Sequence, residues 1–344
     1  MQSAMSDPAA TAQVRAYTRA DRDAVLELQA RVFGAEAATS VANWTWEYDE
    51  NPFQVAGVPL GWIAEIDGRM AGYYGMLPLR LCVDGRFVLA LCGADFCVDE
   101  TWRGRGLGTL LTRYLLQAAR GHRLFATSAT PTAAHLLKKA GLSFVDVTTE
   151  PSLWACGDFS AGVAGAGGTE TADLDDPALG AALDAFAHEL ARHHRVVLWR
   201  GADYFAWRYG AYPIASAKPV VRVLRAGSAV RGVAVLQCDR AAGRAFLLEL
   251  LHRPDDRDAC TSLLRDALAL AGPSRAHELY AFHRVPTARA VLAAHGFVSV
   301  SQGAIVPLLD LPVTTSDGGP SLADWYVAPG DGDFLLRVGS GAPR

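Results

Sequence analysis

The chain has 344 residues, 51% of them hydrophobic, which is enough for two ordinary cores and too much for one. Its 36 acidic and 32 basic residues leave a net charge of −4 with no long basic run, which argues against a nucleic-acid partner. The six cysteines form no C-x-x-C pair, the start MQSAMSDPAATAQ has no basic and apolar leader, and no eighteen apolar residues run together, so reduced thiols in a cytoplasmic protein without a membrane span are expected.

Residues 1–12 read as a small polar tail. Val14 to Tyr17 is expected as a first strand, and Thr18 or Asp21 as the cap of a helix with Val25, Leu28 and Val32 inward. A second helical stretch around Val41 to Tyr48 stops at Asn51-Pro52. Strands follow over Gly61 to Ile66, Arg69 to Leu77 and Phe87 to Val98, joined by turns at Asp67-Gly68 and Asp84-Gly85.

Val98 to Ala118, VDETWRGRGLGTLLTRYLLQA, reads as a strand end, a glycine-rich turn and an amphipathic helix. Glycines at 104, 106 and 108 let successive backbone N–H groups aim at one point. Leu107, Leu110, Leu111, Tyr114, Leu115 and Ala118 share one face, so the helix packs on the sheet with its positive N-terminus at the turn, beside Arg103 and Arg105. The turn is an anion cradle suited to a diphosphate. A Walker loop needs G-x-x-x-x-G-K-[ST], and a dinucleotide fingerprint needs glycine where Thr109 stands. Neither pattern is present.

The stretch resembles the R-x-x-G-x-G segment of the GNAT superfamily of N-acetyltransferases, with Arg103, Gly106 and Gly108 at its defining positions. The resemblance implies that Arg103, Gly104, Arg105, Gly106, Leu107, Gly108 and Thr109 bind the pyrophosphate of acetyl-CoA or another short acyl-CoA. It further implies that the backbone of Phe96, Cys97 and Val98 holds the pantetheine, on a strand that splays from its neighbour. Thr130 takes the place of the asparagine usual at the start of a later helix in this family. Leu124 to Ser128 is expected as a strand, Thr130 to Ala140 as a helix closed by Gly141, and Phe144 to Thr148 and Leu153 to Cys156 as strands that finish the unit. The order is that of a complete GNAT domain, residues 1–157.

Ser160 to Asp173 is small and polar, and marks a linker over residues 158–173. Beyond it the pattern restarts: Trp46-x-Tyr48 returns as Trp207-x-Tyr209, and Pro131-Thr132-Ala133 as Pro286-Thr287-Ala288. The chain is therefore expected to have an α/β architecture of two tandem GNAT-like domains packed together, each a central mixed sheet flanked by helices. The second, degenerate domain is placed at 174–313, and a C-terminal tail at 314–344. Where that domain should cradle a pyrophosphate it reads HRPDDRDACTS, and Asp255, Asp256 and Asp258 would repel phosphate. His188, Glu189 and His193 miss the H-E-x-x-H spacing by one residue. The two imidazoles then stand about 140° apart around the helix, so no metal site is expected, and His188, His193 and His194 read as a solvated face.

Acyl transfer to an amine needs a base for the amine, donors for the oxyanion and a proton for the departing thiolate. Asp95 is the candidate base, directly or through water; otherwise it is a carboxylate satisfied at a bulge. The family's usual tyrosine, four residues before the closing glycine of the later helix, is Leu137 here. Tyr73, Tyr74 or Tyr326 substitutes, or the thiolate leaves without a dedicated acid. The tail Ser321 to Leu336 either covers apolar surface with Trp325, Tyr326 and Phe334, or offers Asp331 and Asp333 to a cationic acceptor. The expected function is acyl transfer to a small amine such as an amino sugar or amino acid derivative. The alternatives are a non-catalytic acyl-CoA sensor or scaffold, and an aminoacyl-tRNA-dependent transferase, for which an intact cradle has little use.

Overall fold

A computed structural model describes residues 12–35, 39–126, 131–141, 153–159, 168–300, 325–326, 328 and 331. Residues 1–11 of the expected N-terminal tail, the expected strand Phe144 to Thr148, Thr130 and Asp333 lie outside them.

β1 (Gln13–Ala16) leads through a 3-10 turn into α1 (Arg22–Phe33). The Asp21 carboxylate accepts the Thr18 N–H at 2.8 Å, and Val25 and Leu28 face inward. β2 (Gly61–Ile66), β3 (Arg69–Val83) and β4 (Arg86–Val98) then form an antiparallel meander. Both hairpin turns carry positive φ at both central residues, 52° and 72° at Asp67-Gly68 and 48° and 78° at Asp84-Gly85. That backbone matches the twist of the flanking strands. The short α2 (Val41–Trp44) precedes this meander and the cradle helix α3 (Leu107–Ala118) follows it, and β5 (Arg123–Phe125) runs parallel to β4. α4 (Pro131–Lys139) packs beside α3.

β6 (Leu153–Cys156) does not finish this first sheet. It lies in a second one, between β12 (Glu278–Phe282) and β13 (Val298–Ser299). Conversely β8 (Val196–Leu198), which follows α5 (Pro177–His193), pairs with Leu81–Val83 of β3 in the first sheet. The physical reason is burial: Leu153, Ala155 and Cys156 are all buried, and the second sheet offers them ladders on both sides. Residues 169–171, inside the expected linker, form β7 (Thr169–Thr171) at the edge of that second sheet, against β9 (Val220–Ala226). β10 (Ala229–Asp239), β11 (Arg244–His252), α7 (Arg257–Ala271) and α8 (Pro286–Ala294) complete it, with α6 (Ala202–Phe205) preceding them. Among the described residues each sheet has seven strands.

One apolar core lies between the two sheets, with Trp44, Trp46, Tyr73 and Phe125 from one side and Phe205, Trp207, Phe246 and Phe282 from the other. Two smaller cores fill the outer faces, under α3 and α4 and under α7 and α8. α2 and α6 each continue into a π turn, Thr45–Asp49 and Ala206–Gly210. There the repeated tryptophans meet: Trp46 Nε1 donates to the Trp207 carbonyl and Trp207 Nε1 to the Trp46 carbonyl, both at 2.7 Å. β14 (Trp325–Tyr326) adds to β8 in parallel, so this part of the tail does cover apolar surface. His194 departs from the expected solvated face. The helix ends at His193, the backbone of His194 is extended, and its ring packs 5.1 Å from Tyr326.

Candidate active site

The cradle forms where β4 ends. Asp99 accepts the Thr101 N–H at 3.1 Å in a 3-10 turn over Glu100–Trp102, and the chain then passes exposed Arg103, Gly104 and Arg105. Gly106 caps α3 with φ 83°, a left-handed conformation that side chains resist, so the turn needs glycine there. Leu110 N–H to the Gly106 carbonyl, 3.0 Å, is the first bond of the helix. The N–H groups of Leu107, Gly108 and Thr109 before it are the orphan donors of a helix start. Gly108 lets the helix lie close to the sheet, since a Cβ there would stand 3.0 Å from Leu136 and 3.2 Å from Phe96. Thr101 to Phe144 contains seven Lys and Arg and no Asp or Glu, although the chain as a whole is acidic. A diphosphate fits these donors and this charge. Arg103 spends part of its capacity internally, on Glu100 at 3.1 Å and the Val98 carbonyl at 3.2 Å.

β4 and β5 pair only from Ala90–Arg123 to Cys92–Phe125. Beyond that rung β4 runs on through Phe96, Cys97 and Val98, with no ladder on the β5 side among the described residues. An extended ligand chain could add its amides to this edge. Cys97 is buried and Phe96 and Val98 are half-buried.

Asp95 sits at a bulge, where Tyr73 opposes Cys97 but Gly75 opposes Ala94. Its φ is 53°, uncommon outside glycine. The carboxylate is buried and accepts the Tyr48 hydroxyl at 2.8 Å. Tyr48 comes from the π turn, which is held between the sheets. Residues two apart on a helical turn point to nearly opposite sides, so Trp46 faces the other sheet while Tyr48 faces Asp95. Burial first, and then the charge of Asp95, push the Tyr48 phenol well above its ordinary range, so it remains a donor. Tyr48 is the functional neighbour that the sequence reading missed; the repeated Trp-x-Tyr was its signal.

The same arrangement recurs in the second sheet with different chemistry. Tyr209 donates to Glu249 at 2.8 Å beside a bulge between β10 and β11. Here Arg200 donates to Glu249 at 2.9 Å and also pairs with Asp331. Asp331 is therefore buried in an internal ion pair and is not offered to an acceptor. At the start of α7 the Asp256 carboxylate accepts the Ala259 N–H at 3.0 Å and pairs with Arg231 at 2.6 Å. The start of α7 is thus capped by the protein's own carboxylate, whereas Gly106 offers no side chain to cap the start of α3.

Of the hydroxyls considered for the thiolate, Tyr73 donates to the Leu60 carbonyl and Tyr326 to the Leu250 carbonyl, each at 3.3 Å. Leu137 is buried under the first sheet. Among the described residues no cluster could hold a metal ion, and no helix is long and apolar enough to cross a membrane.

These features define a mixed α/β fold in which a glycine turn at the end of β4 opens into α3. Residues 60–141 match the family described as the acetyltransferase (GNAT) domain. No curated protein matches the chain by sequence. Among solved structures it is similar to a GCN5-related N-acetyltransferase from Anabaena variabilis, with TM-score 0.62 and 13% identity over 84% of this chain and 70% of that one. It is similar also to a putative acetyltransferase from Pyrococcus horikoshii, with TM-score 0.54 and 13% identity over 91% of each chain. A third, N-myristoyltransferase from Saccharomyces cerevisiae with bound myristoyl-CoA and inhibitors, gives TM-score 0.54 and 11% identity over 84% of this chain and 78% of that one. At such identities the likeness establishes the fold, that of GNAT structures. Together with the matched domain it supports a transferase enzyme.

Proposed function

We propose that the chain is an acyl-CoA-dependent N-acyltransferase built as two tandem GNAT-like domains, of which the first alone binds coenzyme. The observation that carries this reading is the pairing of orphan N–H donors at Leu107, Gly108 and Thr109 with a strand edge directly before them that has no ladder on the β5 side among the described residues. Arg103, Arg105 and residues 104–109 would hold the diphosphate, and the backbone of Phe96 to Val98 the pantetheine. The bound coenzyme supplies an activated thioester. Asp95 takes the proton from the acceptor amine, directly or through water, and Tyr48 fixes the carboxylate that does so. The acceptor is a small amine, held near Asp95. The self-capped start of α7 supports a single coenzyme per chain.

Calorimetry with acetyl-CoA tests this. One molecule per chain is expected, with binding abolished in Gly106→Glu, where a carboxylate fills the cradle. Two molecules per chain, or unchanged binding in the variant, would overturn the assignment. Thiol release with a panel of amines then identifies the acceptor.

A further inference from the structure

The end of α3 away from the cradle borders a second concave site. α3 stops at Ala118, Gly121 takes φ 84° where the chain turns back, and β5 starts at Arg123, opposite Ala90. β4 has already begun at Arg86, so Val88 stands ahead of the first rung, beside the last turn of the helix. A cavity of about 480 Å³ lies in this angle, a volume ordinary for a small-molecule site. It is lined by residues 88, 116 and 119–124, all within the described ranges. Val88, Leu116 and Leu124 give it an apolar wall, and Arg120, His122 and Arg123 a polar rim.

Charge is the second observation. No carboxylate lines the cavity. Arg120 is exposed and bonds only through its backbone N–H, to the Gln117 carbonyl at 3.3 Å, so among the described residues its guanidinium is uncommitted. Asp84 lies within the field of Arg123, but its carboxylate accepts from Arg195 at 2.8 Å, and that bond first holds its pKa below the ordinary carboxylate value. Two permanent guanidinium charges outweigh the opposite half-charge at the C-terminal end of a helix. The cavity is also separate from the cradle. α3 rises about 17 Å between them. On the sheet, the rungs from Ala90–Arg123 to Cys92–Phe125 stand between the cavity and the proposed pantetheine edge.

We propose that this cavity is a binding site for a monocarboxylate with an apolar body. The carboxylate lies in the fork of Arg120, beside Arg123, and the body lies against Val88, Leu116 and Leu124. A guanidinium gives a carboxylate two parallel N–H bonds, which fixes the head group, and the aliphatic wall takes the remainder out of water. An amine is repelled by the same charges, so this site is not that of the proposed amine acceptor.

The test titrates octanoate into the full chain by calorimetry, with octylamine as the control for charge and acetate as the control for the apolar body. One octanoate per chain is expected, and both controls should bind at least about tenfold more weakly. Arg120→Glu reverses the charge at an exposed position and should abolish octanoate binding. Arg120→Lys keeps the charge, loses the fork and should weaken binding about tenfold. Saturating coenzyme A should leave octanoate binding unchanged. No octanoate binding, equal binding of octylamine, or binding that Arg120→Glu leaves intact overturns the site. Displacement of octanoate by coenzyme A assigns the probe to the acyl channel and overturns it as well. Failure of the acyl-transfer reading leaves this proposal standing, because no part of it uses the cradle.

Discussion

At the scale of single residues, the site rests on the Tyr48–Asp95 hydrogen bond and on the space that permits it. Asp95→Asn keeps the shape and loses the proton acceptor, so turnover should fall by roughly 10²- to 10⁴-fold while calorimetric acyl-CoA affinity stays unchanged. Wild-type turnover in this variant would move the base elsewhere. Gly75→Ala addresses the space itself. Its Cβ would stand 2.2 Å from the Tyr48 hydroxyl and 3.0 Å from the Ala94 carbonyl, neither of which can yield cheaply. Overpacking of that kind should lower stability by about 1–3 kcal/mol in urea denaturation and disturb turnover as well.

Between elements, the contrast is between two helix starts. Among the described residues α3 begins at a bare glycine with no side chain capping its first N–H groups, whereas α7 begins at Asp256, which caps the helix and pairs with Arg231. Removing the cap should therefore cost stability and nothing else. Asp256→Ala should lower unfolding free energy by about 1 kcal/mol, the ordinary worth of an N-cap, with acetyl-CoA affinity within error of wild type. A changed affinity would place a phosphate near α7 and contradict the proposed asymmetry.

For the whole molecule, stability is tied to polar groups buried between the sheets. Arg200 serves two buried carboxylates, Glu249 and Asp331. Arg200→Met should cost about 3–5 kcal/mol, because both would remain buried without their cation. His283 links the same region to pH. Its Nε2 lies 3.1 Å from the Leu250 carbonyl and its Nδ1 accepts the Val285 N–H at 3.2 Å, a pattern only the neutral ring satisfies. Burial, chiefly, lowers its pKa from 6.5 to about 3. The neutral ring's contribution is complete above pH 6.5 and is lost as pH falls through that value toward 3, since the unfolded chain binds the proton first. Glu249, raised to about 7 chiefly by burial, acts in the opposite sense, so the informative quantity is a difference. Between pH 6 and 4, His283→Gln should lose stability less steeply than wild type, by up to about 1.4 kcal/mol per pH unit. Equal slopes would show that the ring is protonated in the fold.

What the sequence by itself determined was local. Glycines 104, 106 and 108 with Arg103, the two Asp-Gly turns and the apolar face of α3 were legible because turn conformation and helix periodicity depend on near neighbours. The Asp-rich start of α7 was legible for the same reason. The pairing of β6 with the second sheet and of β8 with the first could not be read from Leu153 to Cys156 or Val196 to Leu198. Short apolar strands fit any buried ladder, and only the assembled sheets decide which ladder offers the most burial. The partners of Asp95, Asp331 and the tyrosine hydroxyls were likewise decided in three dimensions. Tyr73 and Tyr74 are adjacent in sequence but project to opposite faces of one strand. That alternation sends the first hydroxyl to the Leu60 carbonyl and the second against Gly93.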